Sequence, residues 1–277
     1  MLTRGRAGEP TSDDDAVGPD EEAEPHREPQ TAGQRFFGYV RELLLIIVLG
    51  LIVSTLLRTF VFQPFEIPSG SMENTLQIDD RVAVQKVSGF KRGDVVVFED
   101  PGGWLPPLDD SQKPSPAHRV LEFVGLAPNT SDQFLIKRVI GVEGDQIICC
   151  DVDGRLMVNG RPLDEASYLY STPDEGTVSP SDVQFQVTVP KGRIFVMGDH
   201  RNASADSRCH LADLEVDGSK GDNAFVPTDR VVGVAFARIY PFDRFGGMTR
   251  PSTFDAVPDA AEPAPDKPEI EPEGVLC

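Results

Sequence analysis

The chain has 277 residues, which is enough for one large or two small domains. Its net charge of −19 at pH 7 argues against nucleic acid as a partner, because binding to phosphate requires a basic surface.

Much of the acidic charge lies at the two ends of the chain. Residues 1–34 carry nine acidic and three basic side chains, and residues 251–277 carry seven and one. Each end has a net charge of −6, and subtracting both from −19 leaves a net charge of about −7 for the middle of the chain. Such a charge is ordinary for a protein surface. Both ends are rich in Pro and poor in aromatic residues, so they cannot bury enough apolar surface to offset the entropy of ordering. We predict that both tails are disordered.

A hydrophobic run follows the N-terminal tail. Residues 43–62 would span about 30 Å as a helix, which is the thickness of a bilayer core, and Arg58 near the far end can reach the headgroups. A cleaved signal peptide is the main alternative, but a long polar segment precedes the run and no Ala-x-Ala site follows it. A buried core helix is the second alternative, and a run apolar on all faces fits lipid better. We therefore predict a transmembrane anchor over residues 35–62.

The flanking charges predict how this anchor is oriented in the cell membrane. Arg27, Arg35 and Arg41 lie on the N-terminal side, and Arg58 is the only nearby cation on the other. Because cytoplasmic flanks carry the excess of Lys and Arg, the N-terminus is expected in the cytoplasm. Residues 63–250 would then form an extracytoplasmic domain.

The segment beyond residue 63 predicts a mainly β domain. Short runs rich in Val, Ile and Phe recur between Gly or charged turns, and few windows show helical periodicity. The predicted strands are 81–87, 94–98, 134–142, 146–148, 156–158, 184–189, 194–197 and 231–240. A segment rich in Pro and Asp, at about 100–133, is typical of an insertion between strands.

The stretch Pro68–Leu76, with the sequence PSGSMENTL, contains a candidate nucleophile. Gly70 can adopt backbone angles that are costly for other residues, so the chain can turn sharply and present Ser71. A serine hydroxyl becomes a nucleophile only when a base removes its proton. Taken alone, the stretch is more typical of an ordinary Ser/Gly turn that leads into a strand.

Lys137 lies inside an apolar predicted strand, 66 residues after Ser71. Facing inward, this lysine would have its pKa lowered from about 10.4 by burial, and the neutral amine could act as a base toward a serine hydroxyl. The alternative is that Lys137 points outward and Arg138 lies on the other face. Periodicity alone favours that alternative.

Residues 197–208 form a predicted loop dense in turn formers and charges. Asp206 could pair with Arg208 or with Arg201 and fix the loop. The Ser204 hydroxyl could hydrogen-bond a lysine amine and orient it. Without other evidence, a solvated, charged turn explains the pattern as well.

These three segments, together with residues 92–98 (RGDVVVF), resemble the type I signal peptidases, which are membrane-anchored Ser/Lys proteases. The resemblance covers roughly residues 36–245 through four motifs in the same order. It implies a mostly antiparallel β fold and exported preproteins as substrates, with small residues before the cleaved bond. It implies no metal and no cofactor.

The resemblance also implies roles for individual residues. Ser71 would be the nucleophile and Lys137 the general base. Ser69 would add its hydroxyl to an oxyanion hole beside the Ser71 amide, and Ser204 would orient Lys137. The structural supports of the site would be Asp206 and Arg208.

Two positions depart from the family pattern. The family usually has Pro where Asn74 stands, and Asn can hold a turn as well. It usually has Asn where His200 stands, and this histidine suggests a Ser-His-Asp triad with Asp199. We favour the Ser/Lys pair, because the family pattern already supplies a base.

Four cysteines are present, at positions 149, 150, 209 and 277. Their spacing is not that of a metal site, and no histidine cluster accompanies them. In an extracytoplasmic domain, a disulfide from Cys149 or Cys150 to Cys209 is one expectation, and free buried thiols are the other.

The sequence therefore predicts a single-span signal peptidase that contacts the lipid bilayer and hydrolyses a peptide bond through an acyl-enzyme. A soluble Ser/Lys autoprotease is the alternative enzyme. An inactive, membrane-tethered β scaffold that binds exported chains is the alternative from another class.

Overall fold

The computed structural model describes residues 32–106, 115, 133–174, 176–214 and 220–271. Its first element is an α-helix, α1, at Ala32–Phe60. Residues Arg35–Leu57 of this helix are long and apolar enough to cross a membrane, and none of their most apolar stretch is buried. The chain divides within α1 into two compact units, residues 1–47 and 48–277.

The end of α1 differs slightly from the predicted anchor. The helix ends at Phe60, and a strand begins at Phe62, where the sequence predicts the last residue of the anchor. The cause is Pro64, which disfavours helical angles in the residue before it and has no amide proton to donate.

Fifteen short strands follow the helix within the described residues. They are β1 (Phe62–Glu66), β2 (Arg81–Gln85), β3 (Val95–Glu99), β4 (Phe134–Gly141), β5 (Gln146–Cys149), β6 (Met157–Val158), β7 (Arg161–Pro162), β8 (Ser171–Thr172), β9 (Gly176–Thr177), β10 (Phe185–Thr188), β11 (Arg193–Met197), β12 (Val226–Pro227), β13 (Val231–Tyr240), β14 (Gly246–Gly247) and β15 (Glu269–Glu271). Each of the eight predicted strands is present, with ends within two residues of the prediction.

All pairings between these strands are antiparallel. The larger sheet has the order β1-β2-β13-β3-β4-β11-β12, with β14 paired to β13. A second sheet has the order β15-β10-β5-β6-β7, and β8 pairs with β9. A mainly β, antiparallel fold with one N-terminal apolar helix is therefore confirmed.

The position of β4 in the larger sheet matters for the site. It pairs with β3 on one side and with β11 on the other, and residues 136–141 are buried on both of its faces. A charged side chain on this strand is therefore removed from water whichever face it takes.

Apolar side chains below the loop after β1 form one of the cores. Its members are Ile67, Met72, Leu76, Val82, Val84, Val95, Val97, Ile136 and Ala235. The largest cluster lies around the second sheet and includes three fully buried phenylalanines, Phe185, Phe195 and Phe225.

The C-terminal segment differs from the predicted disorder over 251–277. Phe254 and Val257 are buried in the largest cluster, and Ile270 packs against it. Strand β15 pairs with β10, with Ile270 opposite Val187. These three apolar residues are spaced widely along an acidic, Pro-rich stretch, so average composition conceals them. Residues 272–277 lie outside the described part.

Two other predicted segments fall largely outside the described residues. These are the N-terminal tail, up to residue 31, and most of the insertion, 107–114 and 116–132. The start of the insertion is packed, since Trp104 contacts Phe98 edge-on with ring centroids 5.8 Å apart. The Trp104 Nε1–H donates to the Asn223 carbonyl over 3.0 Å.

The predicted disulfide to Cys209 is wrong. Cys149 and Cys150, at the end of β5, are bonded to each other, so neither is a free thiol and neither bridges to Cys209.

Candidate active site

Ser71 lies on a short 3-10 turn, Gly70–Met72, that follows β1. The side chains of Met72 and Leu76 are fully buried in the apolar core below, and the Leu76 amide donates to the Met72 carbonyl over 2.8 Å. The burial of these two side chains anchors the turn to the apolar core. The hydroxyl of Ser71, a residue only 7% exposed, is therefore presented in a defined place.

Gly70 does not adopt the unusual backbone angles that the sequence suggested. Its φ lies outside the left-handed region, but a Cβ at this position would lie 3.0 Å from the carboxylate carbon of Glu73. The glycine thus leaves room for the Glu73 side chain beside the turn.

Lys137 reaches the serine from β4. Its Nζ donates to Ser71 Oγ over 2.7 Å and to the Ile136 carbonyl over 3.1 Å. Burial lowers the pKa of Lys137 to about 8, and the carboxylates of Asp206 and Asp199 only partly oppose that effect. A substantial share of neutral amine therefore exists near neutral pH, and it lies at the hydroxyl whose proton it would accept.

Lys137 and the neighbouring Arg138 are both buried, so the alternative of an outward lysine on an amphipathic strand is wrong. Arg138 donates from Nε and Nη2 to the two oxygens of Asp199, over 2.8 and 2.6 Å. Burial alone would lower the pKa of Arg138, but Asp199 outweighs it and the net shift is upward. Thr75 Oγ1 donates to the same carboxylate over 2.5 Å.

The Arg138–Asp199 pair joins three parts of the site. It links β4 to the loop after β11 and, through Thr75, to the segment that carries the serine. Removing one partner of such a buried pair leaves an uncompensated charge, which typically costs about 3–5 kcal/mol. The pair is therefore a structural support that holds the two reacting residues together.

Asp199 is thus engaged by Arg138 and not by His200. The His200 ring instead lies 3.2 Å, through Nδ1, from both the Gly70 carbonyl and Glu73 Oε2. Among the described residues, no hydrogen bond joins this ring to Asp199 or to the Ser71 hydroxyl. The Ser-His-Asp arrangement that the sequence allowed is therefore not formed.

Asp206 and Arg208 form a buried, two-pronged ion pair, with Arg208 Nε and Nη2 each 2.9 Å from one carboxylate oxygen. Burial would raise the pKa of Asp206, but Arg208 and the Gly198 amide outweigh it and lower that pKa. The other candidate partner, Arg201, pairs with Glu165 over 2.5 Å. The loop is therefore held by two separate buried pairs.

Ser204 and Ser69 lie beside the reacting pair in different ways. Ser204 is buried, and its hydroxyl faces the Asp206 carboxylate, whose pKa it helps to lower, and not Lys137. Lys137 uses the Ile136 carbonyl as its second acceptor instead. Ser69 is exposed, and its Oγ lies 3.4 Å from Ser71 Oγ.

Gly198 explains how closely these groups approach. A Cβ at this position would lie 2.3 Å from Ser204 Oγ and 2.5 Å from the Ser71 carbonyl oxygen. Only a glycine allows the loop after β11 to pass directly behind the serine. Ser204 therefore borders the site even though it makes no hydrogen bond to Lys137.

Glu165 and Tyr168 were not found by sequence analysis. The Tyr168 hydroxyl donates to Glu165 Oε1 over 2.7 Å, and the guanidinium of Arg138 lies 4.3 Å above the tyrosine ring. Burial raises the pKa of Tyr168, so the phenol stays a donor. A buried arginine requires an acidic partner, but the chain has 45 acidic residues and no local pattern marks Glu165.

The arrangement brings together a candidate nucleophile, Ser71, a candidate base of lowered pKa, Lys137, and nearby hydroxyl groups, with both candidates largely buried. Among the described residues, no three or more His, Cys, Asp or Glu side chains group as they would around a metal ion. The chemistry that the side chains themselves can perform is acyl transfer through the serine.

Known proteins are similar to this chain over most of its length. The family model described as "Signal peptidase, peptidase S26" matches residues 40–240. The chain is 37% identical to signal peptidase I of Mycobacterium tuberculosis (strain H37Rv) over 226 residues, covering 75% of this chain and 74% of that protein. It is 38% identical to a probable signal peptidase I of Mycobacterium leprae over 228 residues, covering 74% and 77%.

Proposed function

Because this chain belongs to the signal peptidase family, peptidase S26, we propose that it is a membrane-anchored serine peptidase that removes N-terminal signal peptides from exported preproteins. The observation that carries the proposal is the 2.7 Å hydrogen bond from Lys137 Nζ to Ser71 Oγ in a buried site. An inactive scaffold would have no use for a buried lysine, which is costly to keep. A soluble autoprotease would have no use for the apolar helix at Arg35–Leu57.

The proposed reaction starts with a proton transfer. Neutral Lys137 takes the proton of Ser71, and the serine oxygen attacks the scissile carbonyl carbon. When the tetrahedral intermediate collapses, the C–N bond breaks and Lys137 returns the proton to the leaving amine. The resulting ester on Ser71 is then hydrolysed by a water that Lys137 deprotonates.

Three neighbouring hydroxyl and amide groups have proposed supporting roles. The Ser69 hydroxyl and the Ser71 amide would stabilise the oxyanion, which is supported by the 3.4 Å distance between the two serine oxygens. Ser204 would orient Lys137 once substrate is bound, since its buried hydroxyl borders the site beside Gly198. Asp206 and Arg208 would keep their loop behind the site.

The substrate segment before the cleaved bond is proposed to carry small side chains. The buried Ile67 and Ile136 lie in one apolar cluster with Met72, the residue after Ser71. Phe65 and Phe134 pack against this cluster and meet edge-on, with centroids 5.1 Å apart. We expect these large side chains to leave little space for a bulky side chain next to Ser71.

The proposed topology has the N-terminus in the cytoplasm and the peptidase domain outside, in contact with the outer face of the bilayer. It is supported by the cationic flank, Arg35 and Arg41, before the apolar stretch. The proposed domains are a cytoplasmic tail before the helix, the anchor, and a peptidase domain that continues to residue 271.

The test is cleavage of a purified preprotein by the detergent-solubilised chain. We expect Ser71→Ala and Lys137→Arg each to abolish cleavage, since alanine has no nucleophile and guanidinium stays protonated. Lys191→Arg, on the surface, is the matched control and should cleave normally. Turnover by Lys137→Arg would contradict the assignment of Lys137 as the base. Turnover by Ser71→Ala would contradict the assignment of Ser71 as the nucleophile.

A further inference from the structure

His200 contacts the turn that carries the proposed nucleophile in two places. Its backbone amide donates to the Ser71 carbonyl over 3.0 Å. Its ring Nδ1 lies 3.2 Å from the Gly70 carbonyl oxygen and 3.2 Å from Glu73 Oε2. Because both ring neighbours are acceptors, Nδ1 carries a proton and donates. One residue therefore holds two successive carbonyl groups, at Gly70 and Ser71.

The imidazole ring is itself fixed. It stacks on Tyr170 with centroids 3.7 Å apart and planes 22° from parallel, and the His200 side chain is only 15% exposed. The Tyr170 amide in turn donates to the Asp199 carbonyl over 3.1 Å. The imidazole that contacts the turn is therefore itself held by its packing against Tyr170.

The turn has few bonds of its own. Glu73 closes it by donating its amide to the Gly70 carbonyl over 3.1 Å. A three-residue turn is a weak element, because 3-10 hydrogen bonds have poor geometry. The 2.7 Å contact between Ser71 Oγ and Lys137 Nζ therefore depends on support from outside the turn.

We propose that His200 is a positioning residue, whose Nδ1–H and backbone amide together hold the Gly70–Met72 turn so that Ser71 stays in reach of Lys137. The inference rests on the proposed function. His200 touches neither reacting atom, so it acts through the turn and not as an acid or base. A shift of about 1 Å in the nucleophile can cost about a hundredfold in rate, which is the scale of the expected effect.

Substitutions at this position can separate the donor from the ring. In His200→Asn, the side-chain amide nitrogen is as many bonds from Cβ as Nδ1, so it can still donate to the Gly70 carbonyl. In His200→Phe, a ring can still stack on Tyr170 but no donor remains. His200→Ala removes both.

His210 is a matched control. It is also a partly buried histidine that stacks on an aromatic ring, Trp104, with centroids 4.5 Å apart. Its Nδ1 lies 2.6 Å from Asp213 Oδ2, and it has no described contact with the nucleophile turn. His210→Ala therefore removes the same group without touching Ser71.

The experiment measures kcat and KM of the full chain in detergent with a short soluble peptide, and thermal unfolding of each variant. We expect His200→Ala and His200→Phe to lower kcat by roughly tenfold to a hundredfold with little change in KM. His200→Asn and His210→Ala should stay within about threefold of the unchanged chain. The pH dependence of the residual activity of His200→Ala should match that of the unchanged chain, since the base is still Lys137.

The outcomes separate the two proposals. An unchanged chain that does not cleave would overturn the proposed function, and this inference with it. Equal kcat in His200→Ala and His210→Ala would overturn only the role of His200. If His200→Ala does not fold, the Asn and Phe variants decide, and equal kcat in these two overturns the role of the Nδ1 donor.

Discussion

At the scale of single residues, Lys137 makes the proposed activity depend on pH. Its pKa is lowered to about 8, and only the neutral amine can accept the Ser71 proton. We expect kcat/KM on a soluble peptide to rise about tenfold per pH unit below about 8 and to level off above about 9. A rising limb near pH 6.5, the ordinary range of histidine, would contradict this if it vanished in His200→Ala.

The same lowered pKa gives a check on stability. The unfolded chain binds more protons at this lysine than the folded chain between about pH 8 and about 10.5, so the free energy of unfolding rises with pH there. Lys137→Met should therefore unfold at higher urea than the unchanged chain at about pH 7 and lose that advantage toward pH 10.5. Lys191→Met, on the surface, should show no such difference.

How much of the site could be predicted depends on whether a residue lies in a local motif. Ser71 and Lys137 lie in such motifs, and the structure brings their side chains together over 2.7 Å. The partner of Arg138 could not be predicted, because the carboxylate of Asp199 meets it only when β4 pairs with β11. Glu165 was missed for the same reason, since its arginine comes from a separate loop.

At the scale of elements, the C-terminal segment is part of the fold. Phe254 packs over Gly93, and a Cβ added at Gly93 would lie 2.5 Å from the phenylalanine ring. Ile270 packs over Gly221, and a Cβ added there would lie 2.3 Å from the Ile270 side chain. Arg250 Nη1 also donates to the Arg92 carbonyl over 3.0 Å. The segment thus covers the start of β3 as well as the second sheet.

We therefore expect Phe254→Ala to lower the free energy of unfolding by about 3–5 kcal/mol, the usual cost of removing a buried aromatic side chain. Urea unfolding of the full chain in detergent measures it. Phe242→Ala, at a residue that is 81% exposed, is the control and should change stability by less than about 0.5 kcal/mol. Equal effects of the two substitutions would show that the segment does not contribute to the fold.

Strand length explains most of the difference between predicted and missed strands. The exceptions are β1, whose five residues begin inside the predicted anchor, and β6, whose two residues lie within the predicted strand 156–158. Strands of four or more residues, such as β4 and β13, carry enough β-branched or alternating residues to stand out. Strands β7, β8, β9, β12 and β14 have two residues each, and two residues have no period. Strands β12 and β14 pair with the longer β11 and β13, whereas β7 pairs with β6 and β8 with β9.

At the scale of the whole molecule, the link between anchor and site is short. Ser71 lies nine positions after Phe62, and a chain spans at most about 3.3–3.6 Å per residue, so the serine lies within about 30 Å of Phe62, the first residue of β1. Val61 and Phe62 are exposed and apolar, as expected of residues at the membrane interface. Ile67, an apolar residue on the same segment, is buried in the core instead.

A preprotein has its cleavage site a few residues beyond its own membrane-embedded segment, so matching depths would raise the effective concentration of the scissile bond at Ser71. We expect a chain that begins at Val61 to fold, because it keeps β1 and the hydrogen bond from the Lys86 amide to the Val61 carbonyl. In liposomes it should process membrane-inserted preproteins roughly tenfold more slowly than the full chain, or worse. On a short soluble peptide in detergent, the two chains should be equal.

The control for this experiment replaces Arg35–Leu57 by an unrelated apolar helix of the same length. If the anchor acts by holding the site at the right depth, this chain should process inserted preproteins as fast as the natural one, because depth depends on length and not on sequence. Restoration by the unrelated helix together with loss in the chain beginning at Val61 would support the depth argument. Equal processing of inserted preproteins by all three chains would show that the anchor only localises the enzyme.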